Sequence, residues 1–226
     1  MSKPKEAPIN LEFSNKYDSK HSEHYYQKHQ DGLARKISHW RDVKLARKAL
    51  EIAGNPQYVL DLPCGAGRFW PMLAESPNRK IVGADNSADM LEVAKTYCPP
   101  DIASRFVTMQ TSAFAIDLPD GAVDSIFSMR LMHHIGKPEH RLAMLKEFHR
   151  VTKDTVILSL WVDGNIKAAQ RKKLELKDPR GENQNRFVIQ AKQFEQEVAE
   201  AGFSVLDSLD FLPYYAMWRV YVLRKK

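Results

Sequence analysis

The chain has 226 residues, of which 43% are apolar and 27% are charged, a composition typical of a globular protein and unlike that of a disordered one. A chain of this length buries a core without disulfides or a structural metal, and its two cysteines form no metal-ligand spacing, so we expect no metal and a reducing, cytoplasmic compartment. The net charge of +6 favours anionic partners, but no segment interleaves basic and aromatic residues as nucleic-acid platforms do, so a nucleic-acid acceptor is less favoured. No apolar run reaches the length of a membrane helix, and the polar N-terminus predicts no secretory signal.

Residues 1–53 predict a loose arm followed by a helical cap. The first 16 residues contain two prolines and little periodicity, which is typical of an arm. From about residue 17 to residue 53 apolar side chains recur at helical spacing, and Gly54 ends the pattern. The residues of this predicted stripe are Leu33, Ile37, Trp40, Val43, Leu45, Ala46, Leu50 and Ile52.

Residues 54–226 predict an α/β domain. Short apolar strands alternate with helical segments, and a terminal pair of strands follows the last helix. The predicted strands are 58–62, 80–85, 104–109, 124–129, 155–161, 203–210 and 217–223, and the predicted helices are 69–75, 87–97, 138–150 and 190–201. This alternation predicts a doubly wound, mostly parallel seven-stranded sheet (Rossmann-like), with the N-terminal helical cap and an antiparallel C-terminal strand pair.

One polar segment stands outside this alternation. Residues 163–192 contain eight Lys or Arg against four Asp or Glu, and Pro179 and Gly181 break any helix there. We interpret the segment as a lid insertion; the alternative is that residues 163–192, like the equally basic residues 1–50, form a solvated helical face.

The turn after the first predicted strand is the most informative feature. Asp61 ends the strand, and Gly65 and Gly67 precede the next helix. Glycines let the backbone pass close to a ligand, and ligands of open α/β sheets bind at the carboxyl ends of strands. A second acid, Asp85, ends the next strand, where a carboxylate can accept hydrogen bonds from both hydroxyls of a ribose. We therefore expect a nucleoside-containing cofactor.

The turn also discriminates between cofactors. Trp70 stands where a dinucleotide-binding turn needs its third glycine, and no phosphate-cradling GxxxxGK[ST] sequence is present. Asp61 disfavours a pyrophosphate but suits a cationic group. S-adenosylmethionine fits, because it has a ribose, a sulfonium and an amino group but no phosphate.

Four stretches, in order, resemble the class I S-adenosylmethionine-dependent methyltransferases. They read VLDLPCGAGRF, IVGADNSADMLEVAK, MQTSAFAIDLPDGAVDSIFSMRLMHHI and LKEFHRVTKDTVILSL. The sequence departs from that family at Pro63, at Ser112 and at Asp154-Thr155, where the family has respectively a glycine, often an acid, and a Gly-Gly turn. The resemblance implies a cofactor site built from Asp61, Gly65, Gly67, Arg41, Asp85, Asn86, Met90, Ser112, Ala113 and Arg130.

The resemblance implies direct transfer of the methyl group to a small or medium acceptor. His133 and His134 are the candidates for a general base, with hydrogen-bonded scaffolding as the alternative. Arg130 would hold the methionine carboxylate or an anionic substrate, and Arg41 is either a cofactor ligand or a solvated helix residue. An RNA methyltransferase and a non-catalytic S-adenosylmethionine-binding module are the other interpretations.

Aromatic residues suggest where the acceptor binds. Tyr17, Tyr25 and Tyr26 lie in the predicted cap and either touch the cofactor or pack on the sheet edge. Trp161, Trp218, Tyr214 and Tyr215 either line an acceptor pocket or belong to the core. The oligomeric state and the acceptor are not encoded in any motif.

Overall fold

A seven-stranded sheet forms the centre of the molecule. The computed structural model describes residue 9, residues 32–177 and residues 185–226. The strands are β1 (Tyr58–Asp61), β2 (Lys80–Asp85), β3 (Phe106–Gln110), β4 (Val123–Ser128), β5 (Thr152–Trp161), β6 (Phe203–Asp210) and β7 (Trp218–Lys225). Their order across the sheet is β3-β2-β1-β4-β5-β7-β6. Strands β1 to β5 pair in parallel, and β7 lies antiparallel to both β5 and β6, so the predicted fold class is confirmed.

Helices cover both faces of this sheet. They are α1 (Leu33–Ile52), α2 (Trp70–Leu73), α3 (Ala88–Tyr97), α4 (Pro100–Ala103), α5 (Pro138–Val151), α6 (Ile166–Lys177) and α7 (Ala191–Glu200), with a 3-10 turn at Met132–His134. One apolar cluster joins α1, α2 and α3 to the sheet, and a second joins α5 and α7 to the opposite face. The central strands are therefore buried on both sides, which is why they read as continuous apolar runs.

The strand order determines where in the sheet a ligand crevice forms. β1 continues to β2 and β3 on one side, whereas β4 and β5 lie on the other side of β1. The crevice between β1 and β4, at their carboxyl ends, is the topological switch point where open α/β sheets bind ligands. The turn after β1 lies at this crevice.

Trp70 explains how the first turn packs without a third glycine. The indole of Trp70 stacks on the ring of Phe106, with centroids 4.2 Å apart, and it lies over Gly83 of β2. A Cβ atom at Gly83 would stand only 2.6 Å from the indole. Gly83 thus leaves room on β2 for the Trp70 ring. In a dinucleotide-binding turn, a glycine on the helix allows this close packing of helix and strand instead.

The cap helix α1 buries the predicted apolar stripe only in its C-terminal half. Its inner face carries Leu45, Ala46, Ala49 and Leu50, whereas Ile37 and Trp40 are 56% and 60% exposed. The prediction that Ile37 and Trp40 belong to the buried stripe was wrong, because the buried stripe occupies the C-terminal half of the helix. The predicted helix before residue 32 and the residues Tyr17, Tyr25 and Tyr26 lie outside the described residues.

Two further boundaries differ from expectation. β5 begins at Thr152, directly after α5, so Asp154-Thr155 lies inside the strand and not in a turn before it. Residues 166–177 of the basic segment form a regular helix, while Pro179 and Gly181 lie outside the described residues. Among the described residues, no helix has both the length and the apolar character needed to cross a membrane.

Candidate functional site

The glycine turn after β1 adopts a conformation that requires glycine. Gly65 and Gly67 have φ angles of +52° and +71°, in the left-handed region that other residues adopt at a cost. A Cβ atom at Gly65 would meet nothing within 4 Å, whereas one at Gly67 would press on the Trp70 ring at 3.0 Å. Gly67 therefore serves packing, and Gly65 faces open space at the crevice.

Asp85 lies in direct contact with this turn. The Gly65 amide donates to Oδ2 of Asp85 at 2.9 Å, and the Ser87 amide donates to Oδ1 at 3.0 Å. Burial raises the pKa of Asp85, and the amide hydrogen bonds oppose that shift. Backbone hydrogen bonds from Gly65, Ser87 and Asn86 use only part of the capacity of a carboxylate, which can accept about four. The remaining acceptor capacity suits a ribose hydroxyl.

Asp61 ends β1 as a buried acid. Its Oδ2 atom has no hydrogen-bond partner among the described residues. Burial, and then the charge of Asp85, hold the pKa of Asp61 well above its usual range. A buried polar atom without a partner calls for an additional donor, and a cationic donor would also relieve the repulsion. Cys64, between these acids, has a raised pKa through burial, so its thiol is not activated.

Residues predicted to surround an adenine lie at the ends of β2 and β3. Met90 is buried and packs with Ala66 of the turn and Val93 of α3. Asn86 is exposed, and its carbonyl accepts a 3.1 Å bond from the Gln110 side chain. The Ser112 hydroxyl accepts from the Phe114 amide at 3.2 Å, and Ala113 is buried.

An ion triad, which the sequence analysis did not single out, joins the cap helix to the site. Asp42 of α1 is 6% exposed, and its Oδ2 accepts from Arg68 at 2.6 Å and also from Arg130. Arg68 belongs to the glycine turn and Arg130 follows β4, so one carboxylate ties three elements together. Arg130 has a φ of +64°, an uncommon conformation for a non-glycine residue, and its amide donates to Oγ of Ser159 at 2.8 Å.

Arg41 makes a different set of contacts. Its Nε donates to the Phe211 carbonyl at 2.8 Å and its Nη2 to the Asp210 carbonyl at 3.3 Å. These bonds fasten α1 to the carboxyl end of β6. The described contacts of Arg41 are therefore structural, and its role as a cofactor ligand stays a prediction.

The histidine pair lies at the carboxyl end of β4. His133 is 3% exposed, and its Nδ1 has no hydrogen-bond partner among the described residues. Burial lowers the pKa of His133 to about 2 and that of His134 to about 4. Nδ1 of His134 pairs with the Asn185 carbonyl. Both rings are thus neutral at physiological pH, and His133 is a weak base, which favours scaffolding over general-base catalysis.

Two indole rings, those of Trp161 and Trp218, adjoin this pair, and the four rings together are here called the aromatic cluster. His133 lies 4.0 Å from His134, 5.1 Å from Trp161 and 4.7 Å from Trp218, measured between ring centroids. Of the aromatic residues proposed for an acceptor pocket, the structure brings Trp161 and Trp218 together at 5.6 Å. Tyr214 is 85% exposed and Tyr215 is 45% exposed, so neither belongs to the core.

Residues 59–155 match the family described as "Methyltransferase domain". This part of the chain is a methyltransferase domain of the class I S-adenosylmethionine-dependent type. The matched residues include the glycine turn, Asp85 and the histidine pair. The described residues contain no group of three or more side chains arranged to hold a metal ion.

Similar proteins act on chemically different acceptors. The chain is 32% identical over 116 residues to the demethylmenaquinone methyltransferase of Lactococcus lactis subsp. lactis, covering 50% of this chain and 44% of that protein. It is 31% identical over 117 residues to the tRNA U34 carboxymethyltransferase of Shewanella frigidimarina, covering 49% of this chain and 33% of that one. The chain thus spans less than half the length of these curated relatives.

A solved structure matches the whole fold. The magnesium protoporphyrin IX methyltransferase from Synechocystis PCC 6803, crystallised with bound S-adenosylhomocysteine, superposes with a TM-score of 0.76. The match covers 95% of this chain and 98% of that one, at 16% sequence identity. At this identity the likeness establishes the fold alone.

Proposed function

We propose that the chain binds S-adenosylmethionine in the crevice between β1 and β4 and transfers its methyl group to a small or medium acceptor. The observation that carries this proposal is the contact between Gly65 and Asp85, which places a glycine turn and a ribose-type acid side by side. When bound, the cofactor supplies an activated methyl group on its sulfonium.

The residues present fit this cofactor. Asp85 retains acceptor capacity for a ribose hydroxyl, and Oδ2 of Asp61 lacks a donor that an amino group would supply. Gly65 leaves the crevice open where a side chain would enter it. We place the adenine of the cofactor beside Met90, Asn86, Ser112 and Ala113. We place its methionine carboxylate beside Arg130, because the ion triad contains two arginines and only one carboxylate.

The chain's own contribution is to position the reactants and exclude water. Methyl transfer needs an in-line approach, and holding the reactants in line is a large part of the catalytic effect. The ion triad holds α1 against the turn and the Arg130 backbone, which supports a closed crevice. Because both histidines are neutral and weakly basic, we propose an acceptor that is already nucleophilic at neutral pH.

Transfer of label from S-[methyl-³H]adenosylmethionine into a fractionated cell extract tests this function. We expect label in the fraction of small molecules below about 1 kDa, and none with Asp85→Ala protein. Label in RNA would favour the alternative suggested by the tRNA-modifying relative and by the net charge. Cofactor binding without labelling of any fraction would instead indicate a non-catalytic binding module.

A further inference from the structure

The backbone of Arg130 is held in a conformation that its own side chain disfavours. Its φ angle is +64°, in the left-handed region where a Cβ atom crowds the neighbouring carbonyl oxygen. The other two non-glycine residues with positive φ in the described part of the chain, Asn55 and Tyr214, are exposed, whereas Arg130 follows β4 at the carboxyl edge of the sheet. Such backbone strain persists only where surrounding contacts enforce it.

A hydroxyl on the neighbouring strand supplies one such contact. The Arg130 amide donates to Oγ of Ser159 at 2.8 Å, and Ser159 is 2% exposed. β4 and β5 pair in parallel up to Ser128 and Leu158, so Ser159 comes directly after the last residue of β5 that pairs with β4. The hydroxyl therefore continues the attachment between the two strands past the end of their backbone pairing.

The guanidinium of Arg130 is fixed at two further points. Its Nη2 donates to Oδ2 of Asp42 on α1, and the group lies over the ring of Trp218 at 4.7 Å. A carboxylate and a ring face together restrict the orientation of the planar guanidinium. Counting the amide bond to Ser159, this one residue is attached to three elements, α1, β5 and β7.

These contacts leave donors of Arg130 unused. Among the described residues, only Nη2 of this guanidinium makes a side-chain hydrogen bond, so the N–H groups of Nε and Nη1 retain their donor capacity. The side chain is 26% exposed, so the group is not sealed in the core. Because β4 neighbours β1 in the sheet, these donors lie at the same edge as the glycine turn that follows β1.

The methionine end of the proposed cofactor carries a group that suits these donors. A carboxylate accepts charge-assisted hydrogen bonds from a guanidinium, and their strength depends on the geometry. The backbone conformation of a residue decides which rotamers its side chain can adopt. Relaxation of Arg130 to a negative φ would therefore move the guanidinium away from Asp42 and Trp218, and away from a bound carboxylate.

We propose that Ser159 is a positioning residue for cofactor binding: its hydroxyl holds the left-handed backbone of Arg130 and thereby keeps the guanidinium beside the carboxylate of the cofactor. Ser159 acts through Arg130 and does not itself touch the cofactor. This inference rests on the proposed function, because it assigns a further residue to the same site. No local motif marks Ser159, since it lies 29 residues after Arg130 within a buried strand.

Two ligands that differ by one carboxylate test the inference on the full chain. S-adenosyl-3-thiopropylamine is S-adenosylhomocysteine without its carboxylate. In calorimetric titrations of the wild-type protein we expect S-adenosylhomocysteine to bind at least about tenfold more tightly, as hydrogen bonds between charged groups require. Arg130→Gln should bring the ratio of the two dissociation constants to within about twofold of one. A ratio near one in the wild-type protein would overturn the inference.

Removal of the Ser159 hydroxyl should lower this ratio. We expect Ser159→Ala to reduce it at least about threefold through weaker binding of S-adenosylhomocysteine, with the affinity for the amine changed less than about twofold. Ser159→Cys restores the lost volume, but a thiol is a weak acceptor, so its ratio should be reduced as well. A wild-type ratio in the Cys variant would show that Ser159 only fills space, and a wild-type ratio in both variants would show that it has no effect; either result contradicts the inference.

A second pair of hydroxyls between the same strands provides the matched control. Oγ1 of Thr155 donates to Oγ of Ser125 at 2.9 Å, and both residues are fully buried, farther from the carboxyl edge of the sheet. Ser125→Ala should lower Tm and leave the ratio unchanged. A ratio that falls as much in Ser125→Ala as in Ser159→Ala would attribute the effect to a general loss of stability and overturn the inference.

A double-mutant cycle shows whether Ser159 acts through Arg130. The guanidinium is absent in Arg130→Gln protein, so the addition of Ser159→Ala should not change the ratio further. An equal reduction of the ratio by Ser159→Ala in both backgrounds would mean that the two residues act independently, which contradicts the positioning role.

The same titrations separate a failure of this inference from a failure of the proposed function. Folded wild-type protein that binds neither compound would remove the proposed function itself. Wild-type protein that prefers S-adenosylhomocysteine, together with an unchanged ratio in Ser159→Ala protein, would remove only the role of Ser159.

Discussion

The Gly65 amide donates a 2.9 Å hydrogen bond to Oδ2 of Asp85, so the glycine turn after β1 and the acid at the end of β2 form one unit. Gly65 follows β1 and Asp85 ends the neighbouring parallel strand β2, and the register aligns the ends of these strands at one edge of the sheet. The hydrogen bond holds the carboxylate toward the crevice, and the carboxylate in turn fixes the left-handed backbone of the turn.

Replacing Asp85 with asparagine should weaken S-adenosylhomocysteine binding by about 1.5–3 kcal/mol, or roughly tenfold to a hundredfold in Kd. The amide retains only one acceptor oxygen, so it cannot serve the backbone amides as well as a ribose hydroxyl. Calorimetric titration measures the change. Asp89→Asn, on an exposed position of α3, is the control and should leave Kd unchanged. Equal affinity of the Asp85 variant and the wild-type protein would remove this residue from the site.

Asp61 should lower the stability of the cofactor-free protein as the pH rises. Its pKa is raised in the folded state by burial, so folding favours the protonated acid. The unfolded chain releases this proton first, and stability is lost as the pH rises from near 4 toward the folded-state pKa. Asp61→Asn should therefore raise Tm at pH 8, by about 2–4 °C for each kcal/mol, and change it little at pH 4.

The same Asp61→Asn variant should bind S-adenosylhomocysteine more weakly. Asparagine replaces one carboxylate oxygen with an NH₂ group, so it cannot present the same acceptor atoms to the amino group of the ligand. Thermal unfolding at the two pH values and calorimetry at pH 8 test both effects together. The prediction concerns the Tm of Asp61→Asn minus the Tm of the wild type. A difference that is smaller at pH 8 than at pH 4 would contradict it.

His133 should make the protein sensitive to acid. Its pKa is about 2 in the folded protein, through burial, while an unfolded histidine titrates near 6.5. The unfolded chain then binds an extra proton below pH 6.5, so this histidine removes about 1.4 kcal/mol of stability for each pH unit of acidification. His133→Phe keeps a ring in the aromatic cluster but cannot bind a proton. Its free energy of unfolding should therefore fall less steeply than that of the wild type between pH 6 and pH 4.5. Urea unfolding across this range measures it, and parallel curves for the two proteins would contradict the prediction.

The ion triad should contribute more than a surface pair. Asp42→Asn leaves Arg68 and Arg130 close together without their shared carboxylate, which we expect to destabilise the protein by about 1–3 kcal/mol, less than a fully buried pair because both arginines are partly exposed. Glu51→Gln is the control, because its pair with Lys48 is more than half exposed and should change stability by less than about 0.5 kcal/mol. Similar effects of the two substitutions in urea unfolding would show that the triad is no stronger than a surface pair.

Much of the fold was predictable because buried parallel strands have a strong local signature. β2 and β6 begin and end where the apolar pattern predicts, and the antiparallel pairing of β6 with β7 is confirmed. The exposure of Ile37 and Trp40 was not predictable, because local spacing does not reveal that only the C-terminal half of α1 packs against the core. Trp70 opposite Gly83 likewise depends on a contact between separate elements.

The candidate site was only partly encoded in local motifs. The glycine turn and Asp85 were readable, since each lies at the end of a strand with a characteristic spacing. Asp42 was not, because a lone acid on a helix gives no sign of arginines at distances of 26 and 88 residues. A polar residue at a helix position otherwise facing the core was the available signal. The contact between Ser159 and the Arg130 amide also required the tertiary structure.

The most direct test of the central claim is calorimetric titration of the folded chain with S-adenosylhomocysteine. We predict binding of one molecule per chain, with at least a tenfold loss of affinity in Asp85→Asn protein. A folded wild-type chain that releases no heat and shows no thermal stabilisation at millimolar S-adenosylhomocysteine would contradict it.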